Sequence, residues 1–547
     1  MNAMFHCIKR LCPALACAVV AVCASCNGAN APDRAALDAI PALVVGVGRD
    51  FYEGPASETY IHGSTCVWES LTRLDTNMRP VPGLAESWSV RDGGKVWTFT
   101  LRSGVRYHNG SVLCSRDVVD NFMRRKNHPR FDSRGICREI ESVRCNGGRK
   151  VVFALKKPIP FFASMLAYYG SPILHPSAFG GDGSIKNAIG TGPFKIDRII
   201  PGRGIEISAF DAYRGDAPAY KKIYFRNIPD AQTRVYALLK GEIDAIIDLG
   251  GILPEQVNEL KSCPDIIIQK QGLATTHYLF FNCRRFPFSD VRARLWLARR
   301  IDSERIVRLL NNGAGIPART PYTPLAAQWV CDEYTPCGVP DHGAFPLRDR
   351  PLILLLHSGV LQRLPYVQIA EVVEHIFRNG GVPVRILVKE AGAYRELLKR
   401  GDFDMSIQPR NLQTGDPDFF YSNTMAGDGI QNMGYMNAQV DALIGRAKYE
   451  MDINRRKSLY CALSAIVWRD MPFIPLYHDE AFFSYRNTVC DLGMDASFRP
   501  GLTRVKPARI DGLMRAAKQM QRMIPPGNAR QSAMKSAGGY PTGFFRR

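Results

Sequence analysis

Residues Pro82 to Val118 read PGLAESWSVRDGGKVWTFTLRSGVRYHNGSVLCSRDV. Two amphipathic runs, Trp88–Val90 and Lys95–Leu101, flank Asp92-Gly93-Gly94, a reverse-turn tripeptide, and together they predict a hairpin. In the second run Val96, Thr98 and Thr100 alternate with Trp97, Phe99 and Leu101, so one face is strongly apolar. His108-Asn109-Gly110 predicts a further turn. Ser115 stands as a helix N-cap, with Arg116 and Asp117 in the first turn and Val118, Val119 and Phe122 on one face. Physics gives this stretch a hairpin, a turn and a capped helix, which is fold information and not yet function.

The same stretch resembles the segment P-x-L-A-x-S-W…D-G…W/Y-x-F-x-L-R-x-G-V-x-F/Y-H-x-G…D-V of the peptide- and nickel-type solute-binding proteins of ABC importers (family 5). Further pieces follow in the same order. Gly190-Thr191-Gly192-Pro193-Phe194-Lys195, Tyr213-Arg214-Gly215, Ile223–Arg226, Ile228-Pro229-Asp230 and Gly241-Glu242-Ile243-Asp244 resemble a second series. FSDVRARLWLARRIDSERIV, residues 288–307, resembles a third, with Leu295-Trp296 where Gln-Ala is usual and Ser303 where Arg is usual. Pro472-Phe473-Ile474-Pro475-Leu476-Tyr477 resembles the closing strand. The recognisable pieces span about residues 42 to 510.

Composition agrees with an exported globular chain. Its 547 residues suffice for two or three domains, and 46% hydrophobic with 22% charged content is ordinary for a soluble protein. Lys9 and Arg10, the apolar run Leu11 to Val22 and the small residues Cys23-Ala24-Ser25 before Cys26 read as a signal peptide. The last four resemble a lipobox, with Cys26 as the lipid-attachment residue, although Cys23 replaces the usual Leu. The net charge of +20 is unevenly placed. The leader's two cations leave +18, and the acid-free tail from Gly512 to Arg547 carries seven more, so the body holds +11. No run of Lys and Arg interleaved with aromatics accompanies that excess, which argues against a nucleic-acid partner. The tail reads as solvated and mobile.

Of 15 cysteines, ten lie beyond the export segment. Cys331 with Cys337 is spaced to close a short loop, as is Cys137 with Cys145, while Cys263, Cys283 and Cys461 read equally well as free buried thiols. The body has no Cys-x-x-Cys pair, so zinc and redox readings have little support. Gly46-x-Gly48 meets Phe51 at its sixth position and fails as a dinucleotide fingerprint. There is no Gly-x-Ser-x-Gly elbow, no His-Glu-x-x-His helix and no phosphate loop, so the chain is expected not to be an enzyme and to need no cofactor or metal. Gly190 and Gly192 read as a turn that needs free dihedrals.

The resemblance implies an α/β, two-lobed periplasmic-binding-protein fold with an extra subdomain on lobe I and a cleft that closes on a hinge. The expected division is a signal peptide (1–26), a linker (27–41), a discontinuous lobe I (42–64, 188–273 and 475–511), its subdomain (65–187), lobe II (274–474) and the basic tail (512–547). It implies ligand contacts as well. Phe51 and Tyr52 follow the first strand into the cleft. Where peptide-binding members carry an Asp for the ligand's α-amino group, three residues before Asp416 of the Asp-Pro turn, this chain has Gln413, with Arg410 and Asn411 where a Trp is usual. A neutral amide gives a free ammonium no charge-assisted bond. Arg363, after strand 351–356, is placed for a carboxylate, and Tyr169 stands near where the nickel-chelate branch carries an arginine. Asp416 and Asp418, two apart around Pro417, read as turn and capping residues and not as an acid–base pair, and Asp416 is also a ligand-binding candidate by its place in that turn.

The implied role is an extracytoplasmic receptor, lipid-anchored in the periplasm or envelope, that hands a peptide-like solute to an ABC permease and its ATPase subunits. A metal chelate, an amino-acid derivative or a sugar in the same fold, or an envelope sensor or scaffold, are the alternative readings.

Overall fold

The computed structural model describes residues 42–51, 61, 63–132, 135–167, 171–331, 345–346, 350–361, 363–497 and 499–508. The expected leader with Cys26, the linker, Tyr52, Tyr169 and the tail lie outside the described residues.

The hairpin of the opening stretch is present. Ala85–Arg91 pairs antiparallel with Val96–Leu101 through a turn at Asp92–Gly94, where Gly93 and Gly94 have φ of 60° and 98°. Trp97, Phe99 and Leu101 are buried while Val96, Thr98 and Thr100 are half-buried, so the alternation sets the face. Lys150–Leu155 and Ile140–Cys145 complete a four-stranded antiparallel sheet. Helix Ser115–Asn127 covers its apolar face through Val118 and Phe122. The cap differs from expectation. Ser115 is the first helical residue and donates its hydroxyl to Gly147 O (2.7 Å), while the Asp117 carboxylate reaches back to Cys114 N (2.9 Å). Asp117 satisfies an orphan donor of the first turn, which frees Ser115 to tie the helix to the loop of the sheet.

The main sheet of the molecule runs in the order Val384–Lys389, Leu352–His357, Met405–Asn411, Ile266–Phe281, Phe473–Arg486, Ala245–Ile246, Leu43–Val47, Lys222–Asn227, Gly204–Ala209 and Phe194–Ile200. Two long strands hold it together. The end of Ile266–Phe281 pairs with Met405–Asn411, and its beginning pairs with the end of Phe473–Arg486. That second strand in turn meets Ala245–Ile246. One side of the seam has its core around Val45, Phe194, Ile223 and Phe225; the other has two cores, around Leu354, Ile369 and Phe377 and around Tyr278, Phe420 and Tyr421. The chain thus forms two α/β lobes, with the hairpin sheet as a third core attached to the first lobe. The pairing of the long strands slips between Gly272 and Thr276, a bulge where the lobes meet.

The runs Pro351–Leu356 and Val384–Val388, on either side of the amphipathic stretch Ile369 to Phe377 and its Gly380-Gly381 stop, predict a β-α-β unit, and the structure has it as Leu352–His357, Tyr366–Asn379 and Val384–Lys389 with the strands parallel. Val291, Leu295, Ala298, Ile301 and Ile306 fit one stripe and predict a single helix over residues 290–309, but the structure has two, Val291–Ala298 and Ser303–Leu310. Asp302 breaks the stripe, because its carboxylate accepts from Arg305 N (2.9 Å) and starts the second helix. The Gly190 and Gly192 turn is explained by close approach and not by dihedrals. A Cβ on Gly192 would lie 2.0 Å from Cys66 O, and one on Gly190 2.5 Å from Val67 O.

The cysteine expectations need correction. Cys331 bonds to Cys461, 130 residues away, and not to Cys337; Cys461 is therefore not a free thiol. Cys137 and Cys145 are both free, one buried against the helix and the other exposed at a strand end. Spacing alone misled here, since a bridge needs Cα atoms brought close by the fold, 5.3 Å in this case. Cys263 and Cys283 are free, as one reading held.

Candidate functional site

A cavity of about 330 Å³ opens at the seam between the lobes. Its floor is the pair of long strands, which contribute Thr275, His277, Asp479, Glu480, Ala481 and Phe482. The first lobe contributes Arg49, at the end of the buried strand Leu43–Val47, and the loop Leu249, Gly250, Ile252 and Pro254. The second lobe contributes Val360, Arg363 and Leu364 from the segment after Leu352–His357, and Pro409, Arg410 and Asn411 from the end of Met405–Asn411. Phe419 and Gln431 close that side. Apolar walls with a few charged groups are the usual make-up of a small-molecule pocket.

Three of the expected ligand residues meet at this wall. Arg410 is 8% exposed; its Nη1 donates to Gln408 Oε1 (2.8 Å) and Pro409 O (2.9 Å), and its Nη2 to Gln431 O (3.3 Å). The guanidinium lies 4.4 Å above the Phe280 ring, and its Nε is buried with no partner. Every acceptor it has among the described residues is neutral, and burial pulls its pKa down to about 10. A buried guanidinium with no carboxylate carries an uncompensated desolvation cost, which an anionic group entering the cavity would offset. Arg363 comes from the same lobe. Its stem packs on Gly250, where a Cβ would lie 2.8 Å from Arg363 Cδ. Burial and then the nearby Arg49 lower its pKa, so a second cation is already held at some cost. Asn411 donates Nδ2 to Thr275 Oγ1 (3.2 Å), and its Oδ1 is buried without a partner.

The floor carries the opposite sign. Glu480 is engaged, accepting from Lys270 Nζ (2.8 Å) and Gly315 N (2.9 Å). Asp479 meets His277 Nε2 at 3.4 Å. The His277 ring is fixed by a 2.6 Å hydrogen bond between Nδ1 and the Tyr366 hydroxyl and by stacking on Tyr477 at 4.2 Å. The neighbouring His478 faces away, bonded to Thr276 and Thr320, and burial, then His277, drive its pKa down to about 3, so it stays neutral.

Three expected residues are elsewhere. Phe51 is 1% exposed and packs edge-on against Phe225 at 5.6 Å in the first lobe's core, because the strand before it is buried throughout its last three residues. Asp416 is a buried partner of Arg456: Arg456 Nη2 donates to Asp416 Oδ1 (2.6 Å), and Nη1 donates to Oδ2. Its Oδ1 also accepts from Asp418 N (3.0 Å), so the acid organises the Asp-Pro turn and is spent there. Gln413 is not among the cavity-lining residues; its Oε1 is buried without a partner.

A scan against family models matches residues 79–432 to the bacterial extracellular solute-binding proteins, family 5 middle region. That span is well over half of the chain. The chain belongs to family 5 of the bacterial extracellular solute-binding proteins. Its curated relatives include a dipeptide-binding protein of Escherichia coli, 26% identical over 75% of this chain and 83% of the relative. A heme-binding protein A of Haemophilus influenzae is 25% identical over 73% of this chain and 79% of the relative. Among solved structures, NikA of Brucella suis with Fe(III)-EDTA superposes with a TM-score of 0.76 at 23% identity, over 86% of this chain and all of that one. DppA of Helicobacter pylori with the peptide STSA gives 0.68 at 21%, over 86% and 98%. Like other family 5 members, which are the binding components of peptide- and nickel-type ABC importers, this chain has a two-lobed architecture, and its role is that of a substrate-binding component.

Sequence reasoning missed Arg49 and Asp479, whereas His277, which lies in a strand run, reads from the sequence as a core or cleft-edge residue and lines the cavity. The closing strand was expected over Pro472–Tyr477, which left Asp479 and Glu480 outside it. Its real signal is the continuing apolar run Ala481-Phe482-Phe483, which carries the strand to Arg486.

Proposed function

We propose that this protein captures a small peptide-like solute in the interlobe cavity and delivers it to a membrane permease driven by ATPase subunits, without itself catalysing a reaction. The observation that supports the peptide reading is Arg410: a buried guanidinium at the cavity wall whose acceptors among the described residues are all neutral, in a cavity that Arg363 also lines. A terminal carboxylate is the group that two such arginines hold best, bidentately and in a desolvated site. Asn411, with its free carbonyl oxygen, serves the ligand's main-chain N–H. The relatives' own ligands do not decide the matter, since proteins of nearly equal similarity are named for dipeptides and for heme. Cavity size does favour a short solute, because about 330 Å³ is at the lower end for ligand pockets.

The reading includes the division given above: lobe I from 42–64, 188–273 and 475–511, its subdomain from 65–187, and lobe II from 274–474. It also places the protein in the periplasm or envelope, held by a lipid on Cys26. Gln413 keeps no ligand role in it, and Arg363, Arg410 and Asn411 do.

Calorimetric titration with leucyl-leucine, alanyl-phenylalanine and trialanine, each beside its C-terminal amide, tests it. Free acids are expected to bind and amides to bind about ten- to a hundred-fold more weakly, with Arg410→Met erasing the difference. Equal binding of acids and amides, or no binding of any member, would overturn it.

A further inference from the structure

The cavity has a second charged wall, and its only carboxylates among the described lining residues are Asp479 and Glu480. Glu480 already accepts from an ammonium and a backbone N–H. Asp479 does not. Among the described residues its carboxylate accepts no hydrogen bond, and its nearest charged or polar partner is His277 Nε2 at 3.4 Å, a nitrogen that is itself buried and unpartnered. A carboxylate that is only 15% exposed, faces the cavity and accepts no hydrogen bond within the described residues is open to a donor that enters with the ligand. The scaffold holds it rigidly. Asp479 sits mid-strand in Phe473–Arg486, where His478 pairs with Thr276 and Glu480 with Gly272, so it faces the bulge that separates the lobes. His277 beside it is clamped by Tyr366 and Tyr477 and cannot swing away without breaking both contacts.

We infer that Asp479, oriented by His277, is the anchor for the positively charged amino end of the ligand, opposite the Arg363 and Arg410 wall. The solute class that fits is then a zwitterion with a free α-ammonium and a free carboxylate at its two ends, an unblocked short peptide. This rests on the carboxylate reading above and adds the other terminus. An ammonium donates N–H groups, and among the described lining residues the Asp479 carboxylate is the charged acceptor that no hydrogen bond already engages. Gln413, the position where sequence reasoning looked for this contact, does not line the cavity.

The test uses the full mature protein and three probes: leucyl-leucine, its N-acetyl derivative and its C-terminal amide. N-acetylation is expected to weaken binding about ten- to a hundred-fold, the range of one charge-assisted hydrogen bond. Asp479→Asn is expected to weaken leucyl-leucine by that factor and to leave the N-acetyl derivative unchanged, so that the two losses do not add. If Asp479 only props up His277, Asp479→Asn weakens both probes alike, and that result overturns the inference. So does tight binding of the N-acetyl derivative to the unmodified protein. Gln413→Asp is expected to change none of these affinities; a gain for the free amine alone would move the anchor there and refute the assignment to Asp479. Discrimination against the amide with none against the N-acetyl form would sink this inference and spare the carboxylate reading, whereas failure of all three probes would sink both.

Discussion

Asp416, Asp418 and Arg456 show how an acid pair that looks functional is consumed by the fold. Arg456, 2% exposed, holds Asp416 through two donors, gives a third hydrogen bond to Tyr460 (3.0 Å) and donates Nε to Ala447 O (2.9 Å). Asp418 has no such cation against it; burial, then the neighbouring Asp416, raise its pKa to about 6. A carboxyl raised above its unfolded value binds its proton more tightly when folded. Its contribution is therefore most favourable below the unfolded value of about 4 and is lost as pH rises from there through about 6. Asp418→Asn keeps an oxygen for the Ser422 hydroxyl, which now donates to Asp418 Oδ1 at 2.7 Å. It is expected to raise stability at pH 7.5 by on the order of 1–3 kcal/mol and to flatten the decline between pH 4 and 6. Urea unfolding of both proteins at pH 4, 6 and 7.5 checks this, and an equal slope in both would contradict it. Residue types at these positions were legible in the sequence, and so was the turn they build. Their partners were not, because Asp416 and Arg456 are 40 positions apart and nothing local couples them.

The elements most open to sequence reading are those whose pattern is set by neighbours along the chain. The Asp92–Gly94 hairpin, the β-α-β unit and the antiparallel alternation of Val96–Leu101 were all available from period and turn chemistry. What failed was whatever depends on distant pairing: where helix 290–309 breaks, how far the closing strand runs, and which cysteines meet. The Cys331–Cys461 bridge joins the segment after Trp329 to the middle of helix Ile453–Asp470, and Trp329 itself packs edge-on against Tyr460 at 5.7 Å. Closing so long a loop constrains the unfolded chain, an effect of roughly 2–5 kcal/mol. Cys461→Ser is expected to lower stability by that amount and to leave peptide affinity unchanged, since neither cysteine lines the cavity. A thermal melt with and without reductant checks it; a wild-type melt insensitive to reductant would show that the bridge carries no stability.

At the scale of the whole molecule, function depends on how the lobes meet. The hairpin subdomain reaches across to the second lobe: Arg456 lies 5.0 Å over Phe161, Lys157 lies 4.9 Å over Tyr449, and Lys448 is 3.8 Å from Glu139. None of these residues lines the cavity, and contacts made across the lobes bias the same opening and closing equilibrium that a ligand between the lobes biases. The Lys448–Glu139 pair is partly exposed and worth at most about 1 kcal/mol, whereas Arg456 over Phe161 is buried. Glu139→Lys sets a like charge against Lys448 and is expected to weaken peptide binding two- to five-fold with unchanged melting behaviour. Unchanged affinity would mean that closure does not rely on this rim. The overall two-lobed plan was legible from the order of motifs along the chain. The cavity's charge pattern was only half legible: Arg363, Arg410 and Asn411 were named from sequence, while Arg49, His277 and Asp479 become neighbours only when the two long strands are paired.

Native mass spectrometry of the protein purified from its own cells tests the central claim most directly. The account predicts a bound fraction whose mass excess falls on a ladder of short unblocked peptides, and which disappears in Arg410→Met. A single discrete mass that is no peptide, such as a tetrapyrrole or a metal with an organic chelator, carried equally by Arg410→Met, would contradict it.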